Sequence, residues 1–199
     1  MPKKNIFQGL VYVLGDKIDT DQIIPAQYLN WNPAIPEEKR LLGSKALIGL
    51  PDSIRNASPF MNAEEEAAIA AGTGKVKYNI IIAGNGFGCG SSREHAPNAL
   101  GAAGVDIVVA KGYARIFYNN SVVTGDIIPA RSVDRICDYF NTGDEVIVDL
   151  GKNIIQNLTQ QRQEYPLEVM GSVLPILEAG GLFPYAREIG LIGPRPEEQ

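Results

Sequence analysis

The amino-acid sequence predicts an α/β fold built from a mixed or parallel sheet, a smaller antiparallel sheet and flanking helices. Three observations carry that expectation. The middle third alternates short β-branched apolar runs with helical stretches, in the order strand, glycine turn, helix, strand, helix, which suits right-handed parallel crossovers. After Pro129 come three short strand candidates separated by turns, the pattern of antiparallel pairing. A length of 199 residues with 45% apolar content is enough for one domain core, and the 21 Gly and 13 Pro are scattered without a period, which excludes collagen-like and low-complexity classes.

The first strand is placed at residues 10–14 and is closed by Gly15-Asp16. In Asp19-Thr20-Asp21-Gln22-Ile23-Ile24-Pro25, Pro25 biases Ile24 away from helix, so the acidic residues are expected on a loop. From 28 to 74, Pro33, Pro36, Pro51 and Pro59 punctuate short helical stretches, of which Ala63–Ala71 is the clearest. This segment reads either as an insertion or flexible cover, or as packed surface helices. Residues 78–83 form a buried parallel strand entering the glycine-rich turn 84–90. Ser91 and Ser92 then offer an N-cap for a helix running to 103, followed by a strand at 106–110 and a helix at 113–120. A helix capped by Ser132 is expected at 133–140, strands at 145–150, 153–157 and 164–168, and helices at 173–179 and 183–189. Residues 194–199 form a polar tail.

Lys and Arg number 18 against 23 Asp and Glu, a net charge of −5, so the basic footprint needed on a phosphate backbone is missing and no nucleic-acid partner is expected. No apolar run approaches the roughly 18–20 residues that span a bilayer, and Met1-Pro2-Lys3-Lys4-Asn5-Ile6 lacks the apolar core of a secretory signal. A cytoplasmic protein without a membrane partner is the expectation. The two cysteines, Cys89 and Cys137, and the one histidine, His95, have no zinc or redox spacing, so no metal site is expected on this chain.

The strongest chemical signal is the loop Gly84-Asn85-Gly86-Phe87-Gly88-Cys89-Gly90 ahead of a helix. Glycines let the backbone approach a ligand, and the unpaired N–H groups of a helix start favour an anion. A Walker loop fails because no lysine follows Gly90, and a dinucleotide fingerprint fails because its third glycine would fall on Cys89 or Ser91. A carboxylate fits better. Ser91, Ser92, Arg93 and His95 cluster there, and the structural alternative makes a serine the helix cap, Arg93 a solvated charge and His95 a packing residue. Gly90-Ser91-Ser92-Arg93 is also not a hydrolase elbow.

Gly88-Cys89-Gly90-Ser91-Ser92-Arg93-Glu94-His95-Ala96-Pro97, with Asp19 to Ala26 before it and Tyr113-Ala114-Arg115-Ile116-Phe117-Tyr118-Asn119-Asn120 after it, resembles the small-subunit family of 3-isopropylmalate dehydratases in the aconitase superfamily. The resemblance runs over about residues 9–192, including the ending 179–183. It implies one swivelling β/β/α domain over 1–199, with 28–74 as a substrate cover, and a hydro-lyase subunit of leucine biosynthesis that isomerises 2- and 3-isopropylmalate. The partner it implies is a large subunit that carries a [4Fe–4S] cluster on three cysteines, whose iron acts as a Lewis acid.

By the same resemblance Ser91 is the general base, Asp21 belongs to the catalytic network, and Ser92 and Arg93 contact the substrate. An Asx turn before Pro25 is the alternative for Asp21. Arg115 and Asn119-Asn120 brace the site, and His95 supports it. No arginine follows Tyr28-Leu29 until Arg40, unlike the short archaeal-type motif, and Leu29 and Trp31 suit an isopropyl group. Homoaconitate, citramalate- or dimethylmalate-type substrates, and a stand-alone carboxylate-binding module are the alternatives.

Overall fold

The computed structural model describes residues 5–193. Its organising element is β1 (Ile6–Val13), which pairs on one side in parallel with β2 (Ile80–Ala83). Beyond β2 lie β3 (Ile107–Ala110) and β4 (Ile128–Arg131), all parallel, with Ile81 opposite Val108 and Val108 opposite Pro129. On its other side β1 pairs antiparallel with β5 (Glu145–Asp149), followed by β6 (Ile154–Asn157) and β7 (Gln163–Pro166).

The result is one seven-stranded mixed sheet in the order β4-β3-β2-β1-β5-β6-β7. The expected smaller antiparallel sheet is therefore half of a continuous one. β1 starts four residues earlier than the apolar run suggested, and this extra length pairs with β5: Ile6 to Leu10 face Asp149 to Glu145, while Val11 to Val13 face β2.

Side chains alternate across the strands and split the interior into two cores. Ile81, Ala83, Val108 and Ala110 point to one, with Tyr12, Leu42, Leu47, Ile69, Leu100 and Phe117. Ile80, Ile82, Ile107 and Val109 point to the other, with Phe7, Ile136, Phe140, Val146, Val148 and Ile155.

The expected loop at 19–25 is a one-turn helix, α1 (Thr20–Ile23). Asp19 accepts a hydrogen bond from Gln22 N at 2.7 Å and Gln22 Oε1 accepts one from Asp19 N at 2.9 Å, a reciprocal cap. The bias of Pro25 is confined to Ile24, which is extended at φ −147°. Residues 28–74 are not a loose cover. They fold into α2 (Pro36–Ser44), α3 (Asp52–Ala57) and α4 (Ala63–Ala71), and Leu42, Leu47, Leu50, Phe60 and Ile69 are buried in the first core. An ion pair from Lys39 to the largely buried Asp126 ties α2 to the chain before β4. Burial holds the Asp126 carboxyl above its usual pKa, a shift that Lys39 opposes.

The helix after the glycine turn is α5 (His95–Ala103). Its N-cap is Glu94, with no side-chain cap bond, so neither Ser91 nor Ser92 caps it. Pro97 explains the late start: a helix entered at Ser92 would place the proline ring against the Arg93 carbonyl in its interior, whereas a start at His95 leaves Pro97 in the first turn, where no N–H is needed. α6 (Arg115–Thr124) follows β3.

The helix expected at 133–140 is only a 3₁₀ turn, Ile136–Asp138. Ser132 N and Val133 N are bonded to Ala110 O and Pro166 O, so the backbone there extends the sheet edge and cannot open a helix. α7 (Leu174–Glu178) and α8 (Leu182–Glu188) pack by α6. The expected polar tail at 194–199 lies outside the described residues.

Candidate active site at the ends of the parallel strands

The chain leaves the C-terminal ends of β1, β2 and β3 in three segments that run side by side. Lys17 N donates to Asn85 O at 2.7 Å, Gly88 N to Ile18 O at 2.7 Å and Thr20 N to Cys89 O at 2.9 Å. On the other side Phe87 N donates to Gly112 O and Ala114 N to Phe87 O, both at 3.0 Å. The glycine-rich loop is thus sandwiched between the exits of β1 and β3, where open α/β sheets bind ligands. Gly88 fits this sandwich because its backbone is left-handed (φ +76°) and a Cβ would lie 2.1 Å from the Phe117 ring. Asp16, accepting from Asn85 N at 2.7 Å and Arg135 Nε at 3.1 Å, staples the base of the loop. Those bonds, the backbone one first, hold its carboxyl below the ordinary aspartate range.

Beyond Gly90 the chain is pinned to α1. Ser91 N donates to Thr20 Oγ1 at 3.1 Å, and Arg93 Nη1 donates to Asp21 Oδ1 at 2.5 Å. The Arg93 side chain is 22% exposed and that of Asp21 is 63% exposed, so the pair sits at the mouth of the site, and its value lies in orientation more than in stability. Ser91 is half-buried, and among the described residues nothing hydrogen-bonds its Oγ. Asn120 Nδ2 on α6 donates to Ser92 O at 3.1 Å, the bracing expected of this motif, while Arg115 and Asn119 are exposed. The start of α5 adds uncapped N–H groups and the positive end of its dipole beside this strip.

The structure therefore brings Asp21, Ser91, Ser92 and Arg93 together. His95 does not bond Ser91; its Nε2 meets Trp31 O at 3.1 Å, so no serine–histidine pair exists here. The Trp31 ring stacks on Tyr28 with centroids 5.3 Å apart and lines a groove with Leu41 and Ser44 of α2 and Ala63, Ala67 and Ala70 of α4. It meets the cluster through its carbonyl. Leu29 lies half-buried in the turn between, where its N–H bonds Ala26 O at 3.1 Å.

Sequence reasoning missed Thr20, which is 1% exposed and receives the Ser91 N–H, and the capping role of Asp19. The Asp19-x-x-Gln22 spacing was the available signal for that cap.

The two cysteines do not fit an iron–sulfur cluster. Cys89 is half-buried in the glycine loop and Cys137 is buried in the second core, across the sheet. Among the described residues no group of three or more His, Cys, Asp or Glu is placed to hold a metal ion, and no helix is long and apolar enough to cross a membrane.

Residues 56–132 match the family described as the aconitase C-terminal domain. Over 192 residues the chain is 50% identical to the 3-isopropylmalate dehydratase small subunit 1 of Arabidopsis thaliana, covering 96% of this chain and 72% of that protein. It is 37% identical to the 3-isopropylmalate dehydratase small subunit of Aquifex aeolicus, covering 92% of this chain and 95% of the relative. The fold superposes on the crystal structure of 3-isopropylmalate dehydratase from Methanocaldococcus jannaschii with a TM-score of 0.72 at 34% identity, covering 94% of this chain and 96% of that one.

Proposed function

The chain belongs to the family of 3-isopropylmalate dehydratase small subunits, and on that premise we propose that it supplies the base and a carboxylate clamp for interconverting 2- and 3-isopropylmalate by dehydration and rehydration. Ser91 Oγ takes the carbon-bound proton as the substrate loses water, and returns a proton when water adds back in the other orientation. A serine hydroxyl is a weak base near neutral pH, so its surroundings must favour the charged oxygen. The uncapped start of α5 and the Arg93 guanidinium beside it supply that field. Arg93 commits one N–H to Asp21 and keeps the rest of its planar fork for a substrate carboxylate. Asp21 thereby orients Arg93, and Ser92, exposed on the same strip, adds a hydroxyl for the substrate.

The observation that carries this reading is the double attachment of the Ser91–Arg93 strip to α1, by Thr20 and by Asp21. The substrate cover is proposed for the turn at Ala26–Tyr28 and the residues just after it, including Leu29, rather than for all of 28–74, of which α2 and α4 are anchored in the first core by Leu42 and Ile69. The partner in this reading is a cytoplasmic large subunit that carries the [4Fe–4S] cluster, which supplies Lewis-acid chemistry when present. Among the described residues Cys89 and Cys137 lie apart and do not form a site for it.

The test is reconstitution. The purified chain should show no hydro-lyase turnover, and addition of the large subunit with its cluster should restore it. In that complex Ser91→Ala should lower kcat by about 10²–10⁴-fold with KM little changed, as expected for a group acting in the transition state. Near wild-type kcat in a folded Ser91→Ala complex would move the base elsewhere.

A further inference from the structure

Three side-chain links join the arc 19–31 to the strip 91–95. Two fall on α1, at Thr20 and Asp21. The third lies at the far end of the arc, where His95 Nε2 meets Trp31 O at 3.1 Å. A carbonyl only accepts, so Nε2 carries the hydrogen in this contact. The other polar group of the same peptide unit, Asn32 N–H, donates to Glu38 Oε2 of α2 at 2.5 Å. One peptide plane is thus held from both sides, by the first residue of α5 and by the first turn of α2.

The two holders are firmly seated. α5 packs through Ala96, Ala99, Leu100 and Ala103, all 0% exposed, and α2 through Leu42, also 0% exposed. The stretch 26–31 at the end of the arc is tied down less by its backbone: Ala26, Gln27 and Asn30 are exposed, and its own backbone bonds are local turns, Tyr28 N to Pro25 O, Leu29 N to Ala26 O and Trp31 N to Tyr28 O, while the Tyr28 and Trp31 side chains rest against the first core. A short turn with few internal bonds drifts unless its end is fixed from outside.

We propose that His95 is a positioning residue that clasps the Trp31 carbonyl and so fixes the gap between the arc 26–31 and the Ser91–Arg93 strip, setting how tightly the substrate is held. This rests on the reading of that strip as substrate-facing. His95 touches neither substrate nor reacting atoms, so its loss should act on binding and leave the chemical step intact. The same contact explains why the one histidine of a serine-bearing strip points away from Ser91: it serves the opposite wall.

The test has two arms. In the reconstituted enzyme, His95→Ala should raise KM for isopropylmalate about 3- to 10-fold, the worth of one hydrogen bond, with kcat within about twofold of wild type. His95→Gln, whose amide N–H reaches a similar position, should restore KM. Trp31 is the one tryptophan in the chain, so the second arm needs no activity. In the free full-length chain, His95→Ala should shift Trp31 emission to the red and increase its quenching by acrylamide, and His95→Gln should reverse both. Should His95→Ala fail to fold, Glu38→Ala frees the same peptide from the other side and should give the same KM rise and emission shift.

An unchanged KM overturns the proposal, and so does a kcat loss as large as the KM change. If Ser91→Ala stays active, the base assignment fails while the fluorescence arm still judges the clasp.

Discussion

Gly86 and Gly88 offer a matched pair for measuring what the glycine loop requires. Their backbones are nearly the same, φ +75° and +76°, so alanine at either position bears a left-handed penalty of about 1–2 kcal/mol. Their surroundings differ. A Cβ on Gly86 would find nothing nearer than Lys17 Cγ at 3.7 Å, an ordinary contact with a flexible side chain. A Cβ on Gly88 would lie 2.1 Å from Phe117 Cγ and 2.4 Å from Phe117 Cβ.

Phe117 cannot step aside, because it is 1% exposed and its ring is wedged between Phe87 at 5.3 Å and Tyr113 at 6.2 Å. Overpacking of this kind costs about a further 1–3 kcal/mol, so Gly88→Ala should destabilise by about 2–5 kcal/mol against about 1–2 for Gly86→Ala. Urea unfolding of the free chain, followed through Trp31 fluorescence, gives both values from midpoints at constant slope. Equal losses at the two positions would show that backbone conformation alone selects glycine here and that the Phe117 contact is irrelevant. In the reconstituted enzyme Gly88→Ala should also lower kcat, since the loop it distorts carries Ser91.

At the mouth of the site, Arg93→Lys should raise KM strongly, because an ammonium cannot reproduce a two-pronged carboxylate clamp, and Asp21→Asn should raise it less by loosening the guanidinium; steady-state kinetics on the complex decide, and an Asp21→Asn effect larger than that of Arg93→Lys would reverse the assigned roles. Away from the site, burial first and the neighbouring Tyr78 second push the Tyr12 hydroxyl up to about 12. The folded chain then keeps a proton that the unfolded chain loses above pH 10, so stability should fall as pH rises from 10 to 12, by at most about 3 kcal/mol. Tyr12→Phe loses the bond to Ser58 O at 2.7 Å and is less stable at pH 9, but its unfolding free energy should decline less between pH 9 and 11, as urea titrations would register.

The parts of the fold written in local pattern were legible. The β-branched strands expected at 78–83 and 106–110, the glycine turn between strand and helix, and the helix Ala63–Ala71 follow from periodicity and punctuation, and so does the helix expected at 113–120, which runs over Arg115–Thr124. What escaped depends on contacts distant in sequence or on competition between local signals. The Asp19-x-x-Gln22 cap is a local signal, yet the bias of Pro25 alone carried the expectation of a loop there. The serines before α5 looked like caps until Pro97 is counted as a limit on where that helix can begin. The stretch at 133–140 has helical composition, yet Ser132 and Val133 are claimed by the sheet edge. Of the candidate site, Ser91, Arg93 and Asp21 came from the family resemblance that their motifs carry. Their arrangement, with Thr20 receiving the Ser91 N–H and His95 turned to Trp31, is set by the way α1 and α5 meet, which no local pattern encodes.

The double pairing of β1 also bears on the order of assembly during synthesis. Residues 11–13 can join β2, and β3 and β4 can add to them, once the chain has been made as far as Arg131, so the half of the sheet that carries the candidate site needs nothing later for its strands. The partners of Ile6 to Leu10 arrive only with Glu145 to Asp149, and β6 and β7 later still. Between those two moments the first half of β1 is an edge with unmet hydrogen bonds, and its closure over so long a loop is slow. That interval is when a nascent chain is most open to capture by another strand, and it ends when Glu145 to Asp149 pair with Leu10 to Ile6.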